Sequence, residues 1–274
     1  MPAAEVSEIT IRDVATAAEL HAVEQLQREV WGIPDLDVVP LSHLVATKTA
    51  GGVLIGAFDE HALIGFVYGF PAIEDGEMTH HSHMLAVKAD HRGHHLGERL
   101  KFAQRERVLA QGIEVVSWTF DPLRSKNAYL NFRKLGVTCN KYFVDFYGHD
   151  ASSFLHRNGT DRFWVNWRLT SAGVLDRMEN GVSPPGRNDR RPMLRVSETL
   201  RPVFDPHAGL SERDVSIEIP TDIDYIERHD KELAADWRES ARRAFSDAIK
   251  AGHSVVDFVR YGNKGSYLLR REID

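Results

Sequence analysis

The stretch that decides the fold lies at residues 87–100, which read Val-Lys-Ala-Asp-His-Arg-Gly-His-His-Leu-Gly-Glu-Arg-Leu. An apolar run at residues 84–87 predicts a strand that enters a turn at Arg92 and Gly93, and a helix follows from Leu96. The first N–H groups of a helix have no internal partner, and its dipole attracts anions. A guanidinium adds a forked donor suited to a diphosphate. The pattern predicts a phosphate site, although a simple helix-opening turn has the same spacing.

The surrounding segments alternate between strand and helix. Downstream, the pattern predicts strands at 115–120, 139–147 and 163–169, with a short helix at 128–135. Upstream, it predicts strands at 9–14, 53–58, 62–70 and 78–87, with helices at 17–30 and 41–47. Antiparallel strands followed by a parallel crossover indicate an α/β fold with a mixed, mostly antiparallel sheet flanked by helices.

The composition changes after the predicted main domain, residues 1–170. Residues 171–214 contain several prolines and lack periodicity, which predicts an irregular connector. Residues 215–274 then alternate as a strand, carry an apolar helical stripe and end in a hairpin, which predicts a C-terminal β-α-β-β extension. This extension is too small to be stable by itself. We therefore expect it to pack on the main sheet or to mediate a homodimer with a second subunit.

Composition and charge restrict the class of protein. The chain has 274 residues, of which 42% are hydrophobic, so it is long enough to bury a substantial core. A net charge of −6 leaves no basic surplus for a nucleic-acid partner. No apolar run approaches the roughly 20 residues that span a bilayer, so we expect no membrane partner. Cys139 is the only cysteine and the N-terminus lacks a signal-peptide pattern, so we expect a cytoplasmic protein.

Two motifs in tandem carry a family resemblance. The pattern Arg-Gly-x-x-Leu-Gly at residues 92–97 is followed by Ala-x-x-x-Phe-x-Lys-Leu-Gly-Val at residues 128–137. With the element order over about residues 9–169, these motifs resemble the GNAT superfamily of acyl-CoA-dependent N-acyltransferases. The run Trp-Thr-Phe-Asp-Pro at residues 118–122 and the extension resemble a bacterial subgroup of predicted acetyltransferases, some of which look like N-succinyltransferases of amino acids.

The resemblance implies a CoA-binding site. The residues implied to hold the CoA diphosphate are Arg92, Gly93, His94, His95, Leu96 and Gly97. The pantetheine arm is implied to pair along the preceding strand, where backbone N–H groups near Leu85 and Val87 polarise the thioester, and Asn127 is a candidate contact for a pantetheine amide. The implied cosubstrate is acetyl-CoA or succinyl-CoA, and we expect no metal.

The chain departs from the family pattern at two positions. His95 stands where a glycine is usual, and a left-handed backbone there would cost roughly 1–2 kcal/mol. Phe132 stands where the family commonly has a tyrosine that protonates the leaving sulfur. A thiolate whose conjugate acid has a pKa near ~8.5 is a tolerable leaving group, so the missing acid need not prevent turnover.

Two histidines are candidate proton acceptors. His81 and His83 alternate onto one face of the strand at residues 78–87. An imidazole with a pKa near 6.5 is largely neutral at working pH and accepts a proton from an ammonium, so we expect His83 to be the first choice of base and His81 the second. The pair also has metal-ligand spacing without a nearby third ligand, and a hydrogen-bonded polar strand face explains it equally well.

Two charged residues are further candidates. Asp121 follows a buried strand at the edge where ligands of open α/β sheets gather, so it binds the ammonium, serves as a base, or caps the turn before Pro122. Arg162 pairs with a substrate carboxylate or forms a structural ion pair.

These observations lead to one functional prediction and two alternatives. We predict an N-acyltransferase that moves an acyl group from acyl-CoA to a primary amine of a small, amino-acid-like acceptor by direct attack. Phe132 and His95 motivate the first alternative, a CoA-binding module that does not catalyse. The second alternative is a protein-lysine acyltransferase, which requires an open groove rather than a closed pocket.

Overall fold

The computed structural model describes residues 8–148, 158–182 and 191–271. Within them the chain forms two compact units, which divide between Ser117 and Trp118. None of the described helices is both long and apolar enough to cross a membrane.

The first unit is a sheet with helices on both faces. Its strands are β1 Ile9–Asp13, β2 Val53–Asp59, β3 Ala62–Glu74, β4 Glu77–Val87 and the beginning of β5 Val115–Phe120. Its helices are α1 Ala17–Trp31, α2 Leu41–Thr49 and α3 Leu96–Ala110. The strands lie in chain order β1-β2-β3-β4-β5, and all pairs are antiparallel except β4 with β5, which is parallel. This parallel pair requires the crossover that α3 supplies.

Local chemistry fixes the first helix. Thr16 caps α1 by accepting a hydrogen bond from the Glu19 N–H, and the Glu19 carboxylate accepts from the Thr16 N–H in return. Gly32 ends the helix in a left-handed conformation. The apolar stripe of α1, which includes Leu20, Val23 and Leu26, packs with residues from α2, β2, β3 and β4 in the core of the unit.

The second unit contains the rest of the described chain. Its helices are α4 Ser125–Ala128, α5 Ala172–Asn180, α6 Ile223–His229 and α7 Lys231–Lys250, and a π-helical turn, Tyr129–Leu135, follows α4. Its further strands are β6 Thr138–Phe143, β7 Arg162–Arg168, β8 Leu194–Val196, β9 Pro202–Phe204, β10 Asp214–Pro220, β11 Ser254–Tyr261 and β12 Lys264–Arg270. The strand order is β5-β7-β6-β11-β12-β10-β8-β9.

The observed fold confirms the predicted class, a mixed and mostly antiparallel sheet flanked by helices. The segment at residues 171–214 is less irregular than predicted, because it contains α5, β8 and β9, while residues 183–190 of it lie outside the described chain. The β-α-β-β extension is present from β10 to β12, with α6 as an additional short helix.

The compact units do not divide near residue 170, where the sequence predicted the end of the main domain. The reason is that the extension pairs with strands of that predicted domain: Val255 of β11 lies opposite Cys139 of β6. Phe245 of α7 also packs edge-on against Phe163 of β7, with ring centroids 4.7 Å apart. The extension thus docks on the sheet of its own chain, which was one of the two docking options.

Candidate active site

The turn between β4 and α3 carries the residues predicted to hold an anion. A short 3₁₀ turn, Ala89–His91, follows β4, and Gly93 has a positive φ of 93°. Helix α3 then begins at Leu96 without a side-chain cap. Uncapped N–H groups at a helix start, together with the positive end of the dipole, favour a bound anion.

Arg92 contributes a positive charge beside this helix start. Its Nε donates a hydrogen bond to the carbonyl oxygen of Val87 at 3.1 Å, which ties the side chain to the end of β4. The residue is exposed, and it has no carboxylate partner within the described chain. Arg92 is therefore placed to pair with a ligand anion rather than with a protein acid.

His95, the predicted departure from the glycine pattern, is in the left-handed region with φ 57° and ψ 15°. A side chain at such a position costs roughly 1–2 kcal/mol. Its ring is exposed, and Nδ1 lies 3.2 Å from Oε2 of Glu98 in the first turn of the helix. The imidazole thus extends from the turn into solvent beside Glu98.

The strand that carries the candidate residues has an open edge. Within the described chain, the ladder between β4 and β5 covers two positions, His80 with Val116 and His81 with Ser117. A β-bulge at His83 shifts the register between β3 and β4 immediately beyond these pairs. Since bulges bend a strand and increase its twist, this bulge accounts for the short ladder. Among the described residues, no strand pairs with residues 82–87 on the side away from β3, near the predicted contacts Leu85 and Val87.

The two predicted histidines share an aromatic surface above β3 and β4. The ring centroids of His81 and His83 are 6.2 Å apart, and each lies within 6 Å of Phe70. Tyr68 lies 6.0 Å from His83 and donates a 2.7 Å hydrogen bond from its hydroxyl to Oγ1 of Thr47 on α2. This surface therefore faces the side of the sheet that α2 covers.

The pKa values of both imidazoles are lowered. Loss of solvent, followed by the charge of His83, lowers the pKa of His81 to about 4. Loss of solvent also lowers the pKa of His83, and the charge of His43 adds to that effect. Both side chains can therefore accept protons at neutral pH, although a base with a low pKa holds the accepted proton weakly.

The opposite face of β4 carries a buried polar cluster that sequence reasoning missed. Ser82 donates to Oε1 of Gln104 at 2.9 Å and accepts from Nζ of Lys101 at 2.7 Å. Nε2 of Gln104 lies 3.3 Å from Nε2 of His80. Burial is the main cause that lowers the pKa of His80 to about 3 and that of Lys101 well below its ordinary value. The spacing of Leu96, Leu100, Gln104 and Val108 along α3 is a signal that Gln104 points inward.

Two more residues that sequence reasoning missed join the histidine surface. Ser117 of β5 donates a short hydrogen bond to Oε1 of Glu74 on β3, and its Oγ lies 3.4 Å from Nδ1 of His81. Thr79 also lies within 3.4 Å of the Glu74 carboxylate. A serine in the middle of the apolar run at residues 115–120 was the available signal for Ser117, while nothing local indicated Glu74.

Asp121 belongs to the second unit, where it forms a buried ion pair. Its two carboxylate oxygens accept hydrogen bonds from Nη1 and Nη2 of Arg238 at 2.9 and 2.7 Å, and Oδ1 also accepts from the N–H of Leu123. Burial alone would raise the pKa of Asp121, but the Arg238 charge and hydrogen bonds lower it to about 2. Asp121 is thus a turn cap and ion-pair partner, and a poor proton acceptor.

Three further residues from the sequence analysis lie in the second unit, and they differ in exposure and contacts. Arg162 is 7% exposed, with its guanidinium 5.2 Å above the Tyr147 ring and Nη1 donating to the carbonyl oxygen of Asp161. Asn127 is exposed on α4. Phe132 is fully buried, with ring contacts to Phe120, Phe163 and Tyr267. Phe132 therefore serves the core.

The described residues of this site include no metal-type cluster, and a separate surface cleft lies elsewhere in the first unit. Within the described ranges, no group of three or more His, Cys, Asp or Glu side chains is arranged to hold a metal ion. A surface cleft of about 310 Å³ is lined by residues that include Lys48, Arg107 and Gln111, and it contains none of the candidate site residues. The open edge of β4 and the adjoining turn remain the place where the candidate groups meet.

Comparison with known proteins assigns the class. Residues 17–136 match the model described as the acetyltransferase (GNAT) family. This region, which is less than half of the chain, is similar to the GNAT family, as the sequence motifs predicted. The match agrees with the predicted enzyme class, an acyl-CoA-dependent N-acyltransferase. The family motif predicted at residues 92–97 lies inside the matched region.

Several solved structures are similar to part of the chain. An aminoglycoside 6'-acetyltransferase of type Ii is 18% identical, with 60% of this chain and 98% of that chain covered and a TM-score of 0.47. The ribosomal-protein-S18-alanine N-acetyltransferase from Escherichia coli is 12% identical, with coverage of 60% and 96% and a TM-score of 0.47. The aminoglycoside 6'-N-acetyltransferase from Enterococcus faecium is 16% identical, with coverage of 59% and 98% and a TM-score of 0.46. No curated protein sequence matches the chain significantly.

Proposed function

We propose that this protein transfers an acetyl or succinyl group from acyl-CoA to a primary amine of a small, amino-acid-like acceptor. One observation carries the proposal: the open edge of β4 lies between an uncapped, arginine-flanked helix start and a pair of neutral histidines. The first feature suits a diphosphate and the second suits removal of a proton from an amine. The backbone between them suits an extended amide-containing arm.

The diphosphate of CoA is proposed to lie on the N–H groups of residues 93–97, with Arg92 pairing with its charge. Such a seat does not require the side chains of His94 and His95, which is consistent with their exposure. The pantetheine amides would then pair with the free backbone groups of β4, and the N–H groups near Leu85 and Val87 would polarise the thioester carbonyl. Asn127 stays a predicted pantetheine contact.

The chemistry proposed is direct attack. The amine nitrogen forms a bond with the thioester carbon, the carbon–sulfur bond breaks, and CoA leaves as the thiolate. The proton of the amine goes to the imidazole of His81 or His83 and from there to solvent. A thiolate whose conjugate acid has a pKa near ~8.5 leaves without an obligatory acid, so the buried Phe132 is compatible with turnover.

The acceptor is proposed to be small. The rings of Tyr68 and Phe70 and the hydroxyl of Thr47 on α2 border the histidine surface, and they offer polar and aromatic contacts to such an acceptor. Arg162 is not included as a carboxylate ligand, since it is buried. Cytoplasmic location and a homodimer through the extension stay predictions.

The decisive experiment measures release of free CoA thiol from acetyl-CoA and succinyl-CoA with a panel of amino acids, other small amines and a lysine peptide. Continuous release with a small amine supports the proposal. Release with the peptide alone would assign the protein to lysine acylation. If calorimetry detects CoA binding but no amine causes release of free CoA thiol, the protein would be a CoA-binding module without catalytic activity.

Replacing Arg92 by alanine is expected to weaken CoA binding about ten-fold or more, because charge-assisted hydrogen bonds contribute roughly 1.5–3 kcal/mol before solvent screening. Calorimetric titration with CoA measures the change. Arg107→Ala is the matched control, since this exposed arginine lies at the other end of α3 and pairs with Asp13 at 3.3 Å. Equal affinities for CoA in the two variants would contradict binding of the diphosphate at residues 92–97.

A further inference from the structure

The contacts of Ser117 define which nitrogen of His81 carries a proton. A carboxylate only accepts hydrogen bonds, so the hydroxyl proton of Ser117 is directed to Glu74. The Ser117 oxygen then presents its lone pairs to Nδ1 of His81, 3.4 Å away. An oxygen without a spare proton can only accept there, so this contact requires a hydrogen on Nδ1.

We propose that Glu74 and Ser117 are positioning residues that hold His81 as the Nδ1–H tautomer, so that Nε2 takes the proton of the acceptor amine. This inference rests on the proposed acyl transfer and selects His81 over His83. The chain of contacts runs from a carboxylate through a hydroxyl to an imidazole, which fixes both the ring orientation and the basic nitrogen.

The strand register explains why these three residues meet. Ser117 is paired directly with His81 across the parallel ladder, so their side chains lie on one face of the sheet. Thr79, two residues earlier on β4, contacts the same Glu74 carboxylate on that face. The second histidine is outside this register because the bulge falls at its position. The two imidazoles therefore differ in their contacts: His81 is held by Ser117, whereas His83 lies at the bulge outside this contact.

Within the part of the chain that the structure describes, groups on three elements shift the pKa of His81. Glu74 of β3 favours its protonated form, whereas His83 of β4 and Lys101 of α3 disfavour it. Ser117 of β5 is neutral, so it affects the tautomer rather than the net charge. A change at Glu74 consequently alters both the tautomer and the proton affinity, while a change at Ser117 alters mainly the tautomer.

The test uses NMR of the full-length protein with ¹⁵N-labelled histidine, because long-range ¹H–¹⁵N correlations distinguish Nδ1–H from Nε2–H. We expect the Nδ1–H tautomer for His81 in the parent. In Glu74→Ala the released hydroxyl proton of Ser117 can turn to Nδ1, so we expect a change to Nε2–H. Ser117→Ala removes the acceptor and should also reduce the Nδ1–H population.

Ser82→Ala is the matched control, since it removes a hydroxyl from the opposite face of β4 and should leave the His81 tautomer unchanged. Kinetics provide the second measurement. Glu74→Ala and Ser117→Ala should each lower kcat about ten-fold or more without a matching change in KM for acyl-CoA. Ser117→Thr, which keeps a hydroxyl, should have a higher kcat than Ser117→Ala. An Nε2–H tautomer in the parent, or a tautomer change without loss of kcat, would overturn the inference. A parent with the Nδ1–H tautomer but no turnover would overturn the proposed function alone.

Discussion

Replacement of Arg238 by methionine should lower the free energy of unfolding by up to about 3–5 kcal/mol, since Asp121 stays buried without its two hydrogen-bonded guanidinium donors and keeps only Arg124, 3.7 Å away, as an ion-pair partner. Arg238 and Asp121 have side chains that are 7% and 8% exposed, and they form two parallel hydrogen bonds. Nε of Arg238 additionally donates to the carbonyl oxygen of Asn158 at 2.6 Å. Urea denaturation followed by tryptophan fluorescence measures the loss.

Two comparisons identify the cause of that loss. Arg243→Met on the same helix removes an exposed i,i+4 pair with Glu239, so it should change the free energy of unfolding by less than about 1 kcal/mol. The double variant Asp121→Asn with Arg238→Met should be more stable than Arg238→Met alone, because no unpaired carboxylate remains. A loss that is the same with and without the Asp121 change would show that packing, and not charge, determines the effect.

The same ion pair predicts a dependence on pH. The folded-state pKa of Asp121 is about 2, below its ordinary 3.8, so the ionised form is favoured by folding. This contribution is complete above pH 4 and is lost as the pH falls toward 2. The difference in stability between the parent and Arg238→Met should therefore shrink over that interval.

Local signals were sufficient for most of the first unit. The turn of β4 into α3 combines an apolar run, a glycine with positive φ and a helical stripe, and each can be recognised within a few residues. The same is true of α1 with its capping box. These elements were predicted because propensity, periodicity and capping agree.

Elements held by non-local contacts escaped prediction. Strands β8 and β9 have three residues each, and β8 pairs with β9 and joins the sheet through a parallel pairing of Leu194 with Ile217 of β10. The sequence predicted one helix in the extension, whereas the structure has two: Asp222 caps α6 and Asp230 separately caps α7. Such features depend on packing and on backbone geometry that a sequence pattern does not specify.

The sequence was enough to name the candidate residues, but it did not show which residues they contact. His81 could be named from strand alternation, yet its contact with Ser117 depends on the register of a parallel ladder. Asp121 could be named as a loop acid, yet its partner Arg238 lies 117 residues further along the chain. The role of an ionisable group follows from its partners, so sequence alone left base, ligand and ion-pair interpretations open.

Replacement of His81 by alanine should lower kcat for acyl transfer by about 10²–10⁴-fold, which is the usual contribution of a positioned proton acceptor. The affinity for CoA should be unchanged, because the proposed diphosphate seat lies in the turn after β4. His83→Ala should be less damaging, since this residue lies at the bulge outside the contacts with Glu74 and Ser117. His61→Ala is the control, as His61 is exposed in the β2–β3 loop.

The pH dependence of kcat separates this role from a structural one. Burial lowers the pKa of His81 to about 4, so the imidazole stays neutral and able to accept a proton down to about pH 5. Activity should therefore be lost only as the pH falls through 4, rather than near the 6.5 of an exposed histidine. Glu74→Ala removes the charge that favours protonation, so the acid limb should move to still lower pH. An acid limb near 6.5 that persists in His81→Ala, or a larger loss in His83→Ala, would assign proton transfer to a different group.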